Sequence, residues 1–341
     1  MKKHLTSAMI ATGLAVAPAM AAAGERVDAI KARGELICGT STGTAIGLST
    51  LDETGKWSGL EVDYCRALAA ALLGDAAKVK FVPLEFKNAF AALQSGSVDL
   101  LARGASWTFT RDTEMKFSFI GPYMYDGQSF MVKKSRNVGK IADLGGASIC
   151  VSAGTTSELN LSDYFRVNNL DYTPIVANSR EQNLANLEAD RCDAYTNERG
   201  GLAASRLGLT DPDAYVIFDE IISKEPLSAT VKQGDPLFHD IAVWTYFALV
   251  NAEELGVTAA NVTELANSSP NPEVQRLLGK TGDFGAKLGV ADDWAVKAIA
   301  AGGNYGEIFE RNLGNGSRVK LSRGLNNLWT KGGLIYAPPV R

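Results

Sequence analysis

Apolar positions along this chain fall into two alternating rhythms. Short apolar runs read as strands at Glu35 to Gly39, Val79 to Leu84, Val98 to Leu101, Ala147 to Ser152, Tyr172 to Ala177, Asp193 to Thr196 and Tyr215 to Phe218. Between them, three- and four-residue spacing predicts amphipathic helices at Val62 to Leu73, Asn88 to Gln94, Leu159 to Phe165, Arg180 to Ala189 and Leu202 to Leu207. Gly96 reads as a helix cap leading straight into a strand. Asp52 to Trp57 reads as a hairpin turn before the first long helix. Alternation of this kind implies an α/β fold with mostly parallel sheets flanked by helices.

Two extended runs interrupt the alternation, Ser129 to Lys134 and Ile221 to Ser228, and almost everything after Asp235 has a helical pattern. The expected plan is a first lobe in two pieces, residues 24–133 and 226–341, the second piece carrying a helical C-terminal extension. A second lobe occupies residues 134–225, and the two crossings form a hinge. Ligand sites commonly lie at such interfaces.

The N-terminus changes the compartment. Lys2, Lys3 and His4 precede an apolar stretch from Leu5 to Ala17, and small residues follow. That is a secretory signal, residues 1–23, cleaved near Ala21–Ala23. The stretch is too short to span a bilayer, which takes roughly 20 apolar residues. An exported, periplasmic protein is expected. Removing the leader removes two lysines, leaving 32 basic against 38 acidic residues, so the net charge moves from −4 to −6. This balance disfavours nucleic acid and anionic membrane surfaces as partners.

Cys38, Cys65, Cys150 and Cys192 make an even count in an exported chain, which points to disulfides. Pairing Cys38 with Cys65 and Cys150 with Cys192 would staple each lobe internally. Free buried thiols are the alternative. Metal binding is weaker, because there is no C-x-x-C and the mature chain keeps one histidine, His239. That histidine lies far from the loop clusters, and no glycine-rich phosphate loop is present, so neither a catalytic triad nor a cofactor is expected.

Candidate chemistry gathers at two loops. Arg111 closes the polar stretch Gly104 to Arg111 after an apolar strand, and Gly154-Thr155-Thr156 opens a helix after another. A guanidinium offers a carboxylate two parallel donors, and a helix N-terminus offers unpaired N–H groups with a favourable dipole. Together they describe a clamp for a small carboxylate.

Gly59-Leu60-Glu61-Val62-Asp63-Tyr64-Cys65-Arg66-Ala67, Leu93-Gln94-Ser95-Gly96-Ser97-Val98-Asp99 and Gly154-Thr155-Thr156-Ser157-Glu158 resemble periplasmic solute-binding proteins of polar amino-acid ABC transporters. Ile221 to Leu227 and Asn304-Tyr305-Gly306-Glu307-Ile308-Phe309 resemble in particular the general L-amino-acid-binding proteins. The resemblance covers the mature chain in order. It implies the two-lobed type II binding-protein fold with a two-strand hinge, a monomer that captures an amino acid, and ABC permease subunits as partners. By resemblance, Arg111 grips the ligand carboxylate with Thr156, Thr155 and Ser106, and Glu198 stands where an aspartate holds the ammonium. Gly104 and Trp107 belong to the same loop.

The chain departs from the subfamily pattern where Gly104-Ala105-Ser106-Trp107 replaces Asn-Thr-Thr-Trp, where Thr196-Asn197-Glu198 replaces Thr-Thr-Asp, and at Ala89, where an arginine is usual. These departures lead to the expectation that a small or weakly polar amino compound outranks glutamate. Two other functions share the fold: a periplasmic dehydratase with Glu198 as acid or base, and a binding protein that presents its ligand to a sensor.

Overall fold

A computed structural model describes residues 24–341; the secretory signal expected at residues 1–23 lies outside the described residues. Two mixed sheets carry the molecule, and their parallel portions are built alike. In the first, Leu36–Thr40 lies between Val79–Pro83 and Leu100–Ser106, all parallel. Glu225–Lys232 adds antiparallel beside Leu100–Ser106 and itself carries Phe117–Phe119 and Met124–Asp126. In the second, Ser148–Ser152 lies between Thr173–Ala177 and Ala194–Glu198, again parallel. Gln128–Lys133 and Tyr215–Ile217 follow antiparallel.

Each parallel trio has its first strand in the middle, so the chain leaves that strand in one direction and returns on its other side. A crevice opens at the carboxyl ends of the strands at such a switch point, the usual ligand position in open α/β sheets. Here two crevices face each other. The helices that create them are Leu60–Leu73 and Phe86–Ser95 in the first lobe, Thr156–Val167 and Arg180–Glu188 in the second. The hairpin read at Asp52 joins Ser49–Leu51 to Trp57–Ser58. Asp52 Oδ1 shapes its turn by accepting the backbone N–H groups of Thr54 and Lys56, each at 2.9 Å.

The outgoing crossing comes earlier than the pattern suggested. Asp126 still pairs in the first sheet with Glu225, whereas Gln128 already pairs in the second with Glu198. The boundary is therefore Gly127 rather than residue 133. A Cβ there would stand 2.7 Å from the Ser223 carbonyl and closer still to Ile221, so only glycine fits where the two crossings meet. The apolar run from Phe130 to Val132 is a buried strand of the second sheet, covered on both faces.

The C-terminal piece is helical through Tyr305–Asn312, but residues 313–341 form an irregular tail with two short 3-10 turns. Its one long helix, Pro236–Glu254, packs on Leu60–Leu73, where the Tyr64 hydroxyl donates to the Ala242 carbonyl at 2.9 Å. No helix among the described residues is long and apolar enough to cross a membrane. Cys38 is bonded to Cys65 and Cys150 to Cys192, one bridge in each lobe.

Buried charge fastens the N-terminal helix Glu25–Arg33 to the first sheet. Asp99, fully buried in its side chain, accepts from Arg26 Nη1 at 3.0 Å, from Arg33 and from the Ile37 N–H at 2.7 Å. Removing the carboxylate strands three donors, while the two arginines remain partly wetted at 28% and 33% side-chain exposure. Asp99→Ala is therefore expected to cost about 2–4 kcal/mol, below the full loss of a buried pair. The shift of the urea midpoint measures it, and a change within error would show that the anchor contributes nothing.

Candidate ligand cleft

The facing crevices form one cleft lined from both lobes. Ser41 and Thr42 follow the first central strand and Arg103 and Gly104 lie in its neighbour. From the other lobe come Ser152, Asn197 and Glu198 at strand ends and Thr155, Thr156 and Arg180 at helix starts.

Arg103 reaches the cleft through a bulge. Glu225–Lys232 pairs Leu227 with Ser106, Ser228 with Ala105 and then Thr230 with Leu101, so Ala102, Arg103 and Gly104 stand opposite Ala229 alone. Surplus residues in one strand kink it and re-aim its side chains. Gly104 makes the kink possible with φ +61°, and its N–H is held by the buried Glu61 carboxylate. Glu61 also accepts from the hydroxyls of Tyr123 at 2.6 Å and Ser49 at 2.5 Å, so three donors hold it in place.

The Arg103 guanidinium lies 4.7 Å from the Phe86 ring centroid, and its Nε is buried without a hydrogen-bond partner. A buried unpaired donor of this kind costs about 1–3 kcal/mol unless something fills it. Burial lowers its pKa to about 10, against the opposing charge of Glu61, so it remains a cation at neutral pH. Arg180, on the opposite wall, is braced by Nη1 bonds to the Gly201 carbonyl and Ser205 Oγ, both 3.0 Å.

Glu198 is the cleft's acid from the second lobe. Burial, then the charges of Glu225 and Asp126, push its pKa up to about 7. Burial likewise raises Asp126 to about 6, although that carboxylate accepts from the N–H groups of Gly127 and Gly200. The folded values exceed those of free carboxylates. Their stabilising contribution is thus complete below the ordinary carboxylate range and is lost as pH rises through 6 and 7.

Of the residues read from the sequence, Gly104, Thr155, Thr156 and Glu198 line the cleft together. Thr155 is also the helix cap, accepting the Glu158 N–H at 3.2 Å. Arg111, Ser106 and Trp107 lie outside the lining. Arg111 packs against the rings of Phe86 and Phe90 and donates Nη1 to the Ser106 carbonyl at 2.8 Å. Burial lowers its pKa to about 10, partly offset by the charges of Glu225 and Glu198. The Ser106 hydroxyl is committed to Glu225. Trp107 stacks on Phe119 with centroids 5.5 Å apart and donates Nε1 to Asp112 at 2.7 Å. Ala89 is fully buried with Leu93 and Phe117 in an apolar cluster and does not line the cleft.

Arg103, Arg180 and Glu61 were not singled out from the sequence. One signal existed: an Arg-Gly pair inside a strand pattern marks a bulge that turns a charge away from the ladder.

Residues 36–315 match the model for bacterial extracellular solute-binding proteins, family 3. The chain is 50% identical to the general L-amino acid-binding periplasmic protein AapJ of Rhizobium johnstonii over the whole of both chains. It is 49% identical to the glutamate/glutamine/aspartate/asparagine-binding protein BztA of Rhodobacter capsulatus, covering 96% of this chain and 97% of that one. A solved periplasmic binding protein from Brucella ovis, with glutathione bound, superposes with a TM-score of 0.90 at 50% identity, over 92% of this chain and 99% of its own. Switch-point crevices facing across a hinge, with this likeness along the whole chain, make it a member of the bacterial extracellular solute-binding proteins, family 3, and a substrate-binding component of an amino-acid ABC transporter rather than an enzyme.

Proposed function

We propose that the cleft captures an α-amino acid, or a compound with an α-amino-acid end, with its carboxylate on Arg103 and its ammonium on Glu198. The observation that carries this reading is Arg103, a cation with its Nε unpaired, lining a cleft whose other lobe supplies an acid. Arg180 adds a second cation to the wall of the cleft. The preference for a small or weakly polar ligand rested in part on Ala89, and that residue is buried away from the cleft. With two arginines on the walls, ligands bearing a second acceptor are favoured: acidic and amide amino acids, or γ-linked peptides. The relatives named for glutamate and its amides and the relative holding glutathione fit this class.

The lobes, divided at Gly127 and again before Glu225, close on the ligand and exclude water, which strengthens each charged contact. The protein works in the periplasm as a monomer after loss of residues 1–23 and delivers its ligand to the permease subunits of an inner-membrane transporter. Calorimetric titration with the common L-amino acids and glutathione tests the ligand class. Tightest binding by an apolar amino acid would overturn it.

Glu198 makes the capture pH-dependent. An ammonium favours the carboxylate form, so binding below pH 7 must expel the proton that Glu198 carries. Affinity is expected to fall as pH drops from 8 to 5.5, approaching about tenfold per unit below 7. Titrations in buffers of different ionisation enthalpy should register proton release, whereas a deaminated analogue should register none. Equal behaviour of the two ligands would remove Glu198 from the ammonium site.

A further inference from the structure

Four side chains converge on a carboxylate that belongs to the protein itself. Glu225, 1% exposed on the returning strand, accepts through Oε2 from the Ser106 hydroxyl and from the Thr156 hydroxyl at 2.9 Å. Its Oε1 accepts from Asn160 Nδ2 at 2.7 Å and Ser223 Oγ at 2.8 Å. Ser106 belongs to the first sheet, Ser223 to the crossing, and Thr156 and Asn160 to the first two turns of a second-lobe helix twelve residues long. A helix N-terminus favours an anion, and three hydroxyls and an amide complete the cradle. Arg111, bonded to the Ser106 carbonyl, lies where the Glu225 charge opposes the effect of burial on it.

Ser106, Thr156 and Arg111 are groups that the resemblance assigned to the carboxylate of the ligand. We infer that Glu225 is a resident carboxylate that fills the anion cradle of Ser106, Thr156 and Asn160, latches the two lobes together, and leaves Arg103 as the anchor for the ligand's carboxylate. The last clause rests on the function proposed above; the latch does not. With the hydroxyl hydrogens of Ser106, Thr156 and Ser223 committed to Glu225, the cradle has few donors left for a second anion, and two carboxylates there would repel at close range. The latch therefore acts as a positioning device. It biases the hinge toward closure without ligand and moves ligand recognition along the cleft, from Arg111 to Arg103.

Small-angle X-ray scattering of the ligand-free protein tests the latch without reference to Arg103. Glu225→Ala is expected to open the hinge and raise the radius of gyration above that of the unmodified protein. Sodium formate, a free carboxylate that fits the vacated cradle, should return the variant toward the compact value and leave the unmodified protein unchanged. Asn160→Ala, which removes one second-lobe donor at the helix surface, should open the hinge partly and carries the test if Glu225→Ala does not fold. Scattering indistinguishable from the unmodified protein in the folded variants, or formate compaction equal in both proteins, would overturn the latch. Unchanged ligand affinity in Arg103→Ala would instead overturn the ligand reading and leave the latch standing.

Discussion

Replacing Arg103 with alanine is expected to weaken ligand binding by about 2–5 kcal/mol, a loss of roughly thirtyfold to several thousandfold in affinity. The magnitude follows from desolvation. Its Nε is already buried in the protein without a partner, so part of the energy of stripping the guanidinium of water is spent during folding rather than on binding. A carboxylate that arrives there meets a donor held in place by the Phe86 ring and the bulge at Gly104. Arg103→Lys should recover only part of the affinity, since an ammonium lacks the planar fork. Arg111→Ala provides the comparison. Arg111 is tied to the Ser106 carbonyl and wedged against Phe86 and Phe90, so its loss should act mainly by loosening that wall. Calorimetry on both folded variants separates the two arginines. Larger loss in Arg111→Ala than in Arg103→Ala would return the carboxylate to the Arg111 end.

Loss of one disulfide should destabilise one lobe. The Cys150–Cys192 bridge closes a separation of 42 residues and Cys38–Cys65 one of 27, loop sizes for which a bridge contributes about 2–4 kcal/mol. All four cysteines are fully buried; one bridge ties the central strand Leu36–Thr40 to the helix Leu60–Leu73, the other ties Ser148–Ser152 to the loop before Ala194–Glu198. In Cys150→Ala/Cys192→Ala, calorimetric unfolding is expected to separate into two steps, the second lobe melting first. For a unit of about 100 residues, 2–4 kcal/mol corresponds to roughly 10–25 °C. A single transition at the original temperature would show that the bridge contributes little, or that the lobes unfold as one. Non-reducing peptide mapping of the unmodified protein checks the pairing directly.

Much of the fold was legible in the chain because its signals are local. Strand and helix assignments held within a few residues across both lobes, from Leu36–Thr40 to Arg199–Arg206, since each element buries one face whose periodicity the sequence must display. The hinge was legible as two extended runs, but its position was not. Whether Phe130 to Val132 cross between lobes or lie within the second sheet depends on which strands flank them, Ala194–Glu198 and Tyr215–Ile217, both more than sixty residues onward.

The candidate site divides along the same line. Glu198, Gly104, Thr155 and Thr156 were found because strand ends and helix starts are visible in the sequence, and crevices open there. Arg103 escaped notice because an odd residue in a strand faces the ladder or the cleft according to a register set by Ser228 and Thr230, far along the chain. Ala89 looked like a lost cleft residue until helix Phe86–Ser95 packed it against Phe117. Glu225 looked like part of a linker until folding brought Ser106, Thr156 and Asn160 onto it. The sequence by itself determined the elements, the lobes' separate cores and the family likeness, because periodicity and local spacing carry these. Only the tertiary structure decided which arginine faces the cleft and which carboxylate fills the cradle. Those outcomes depend on the registers and distances of segments that meet only after folding.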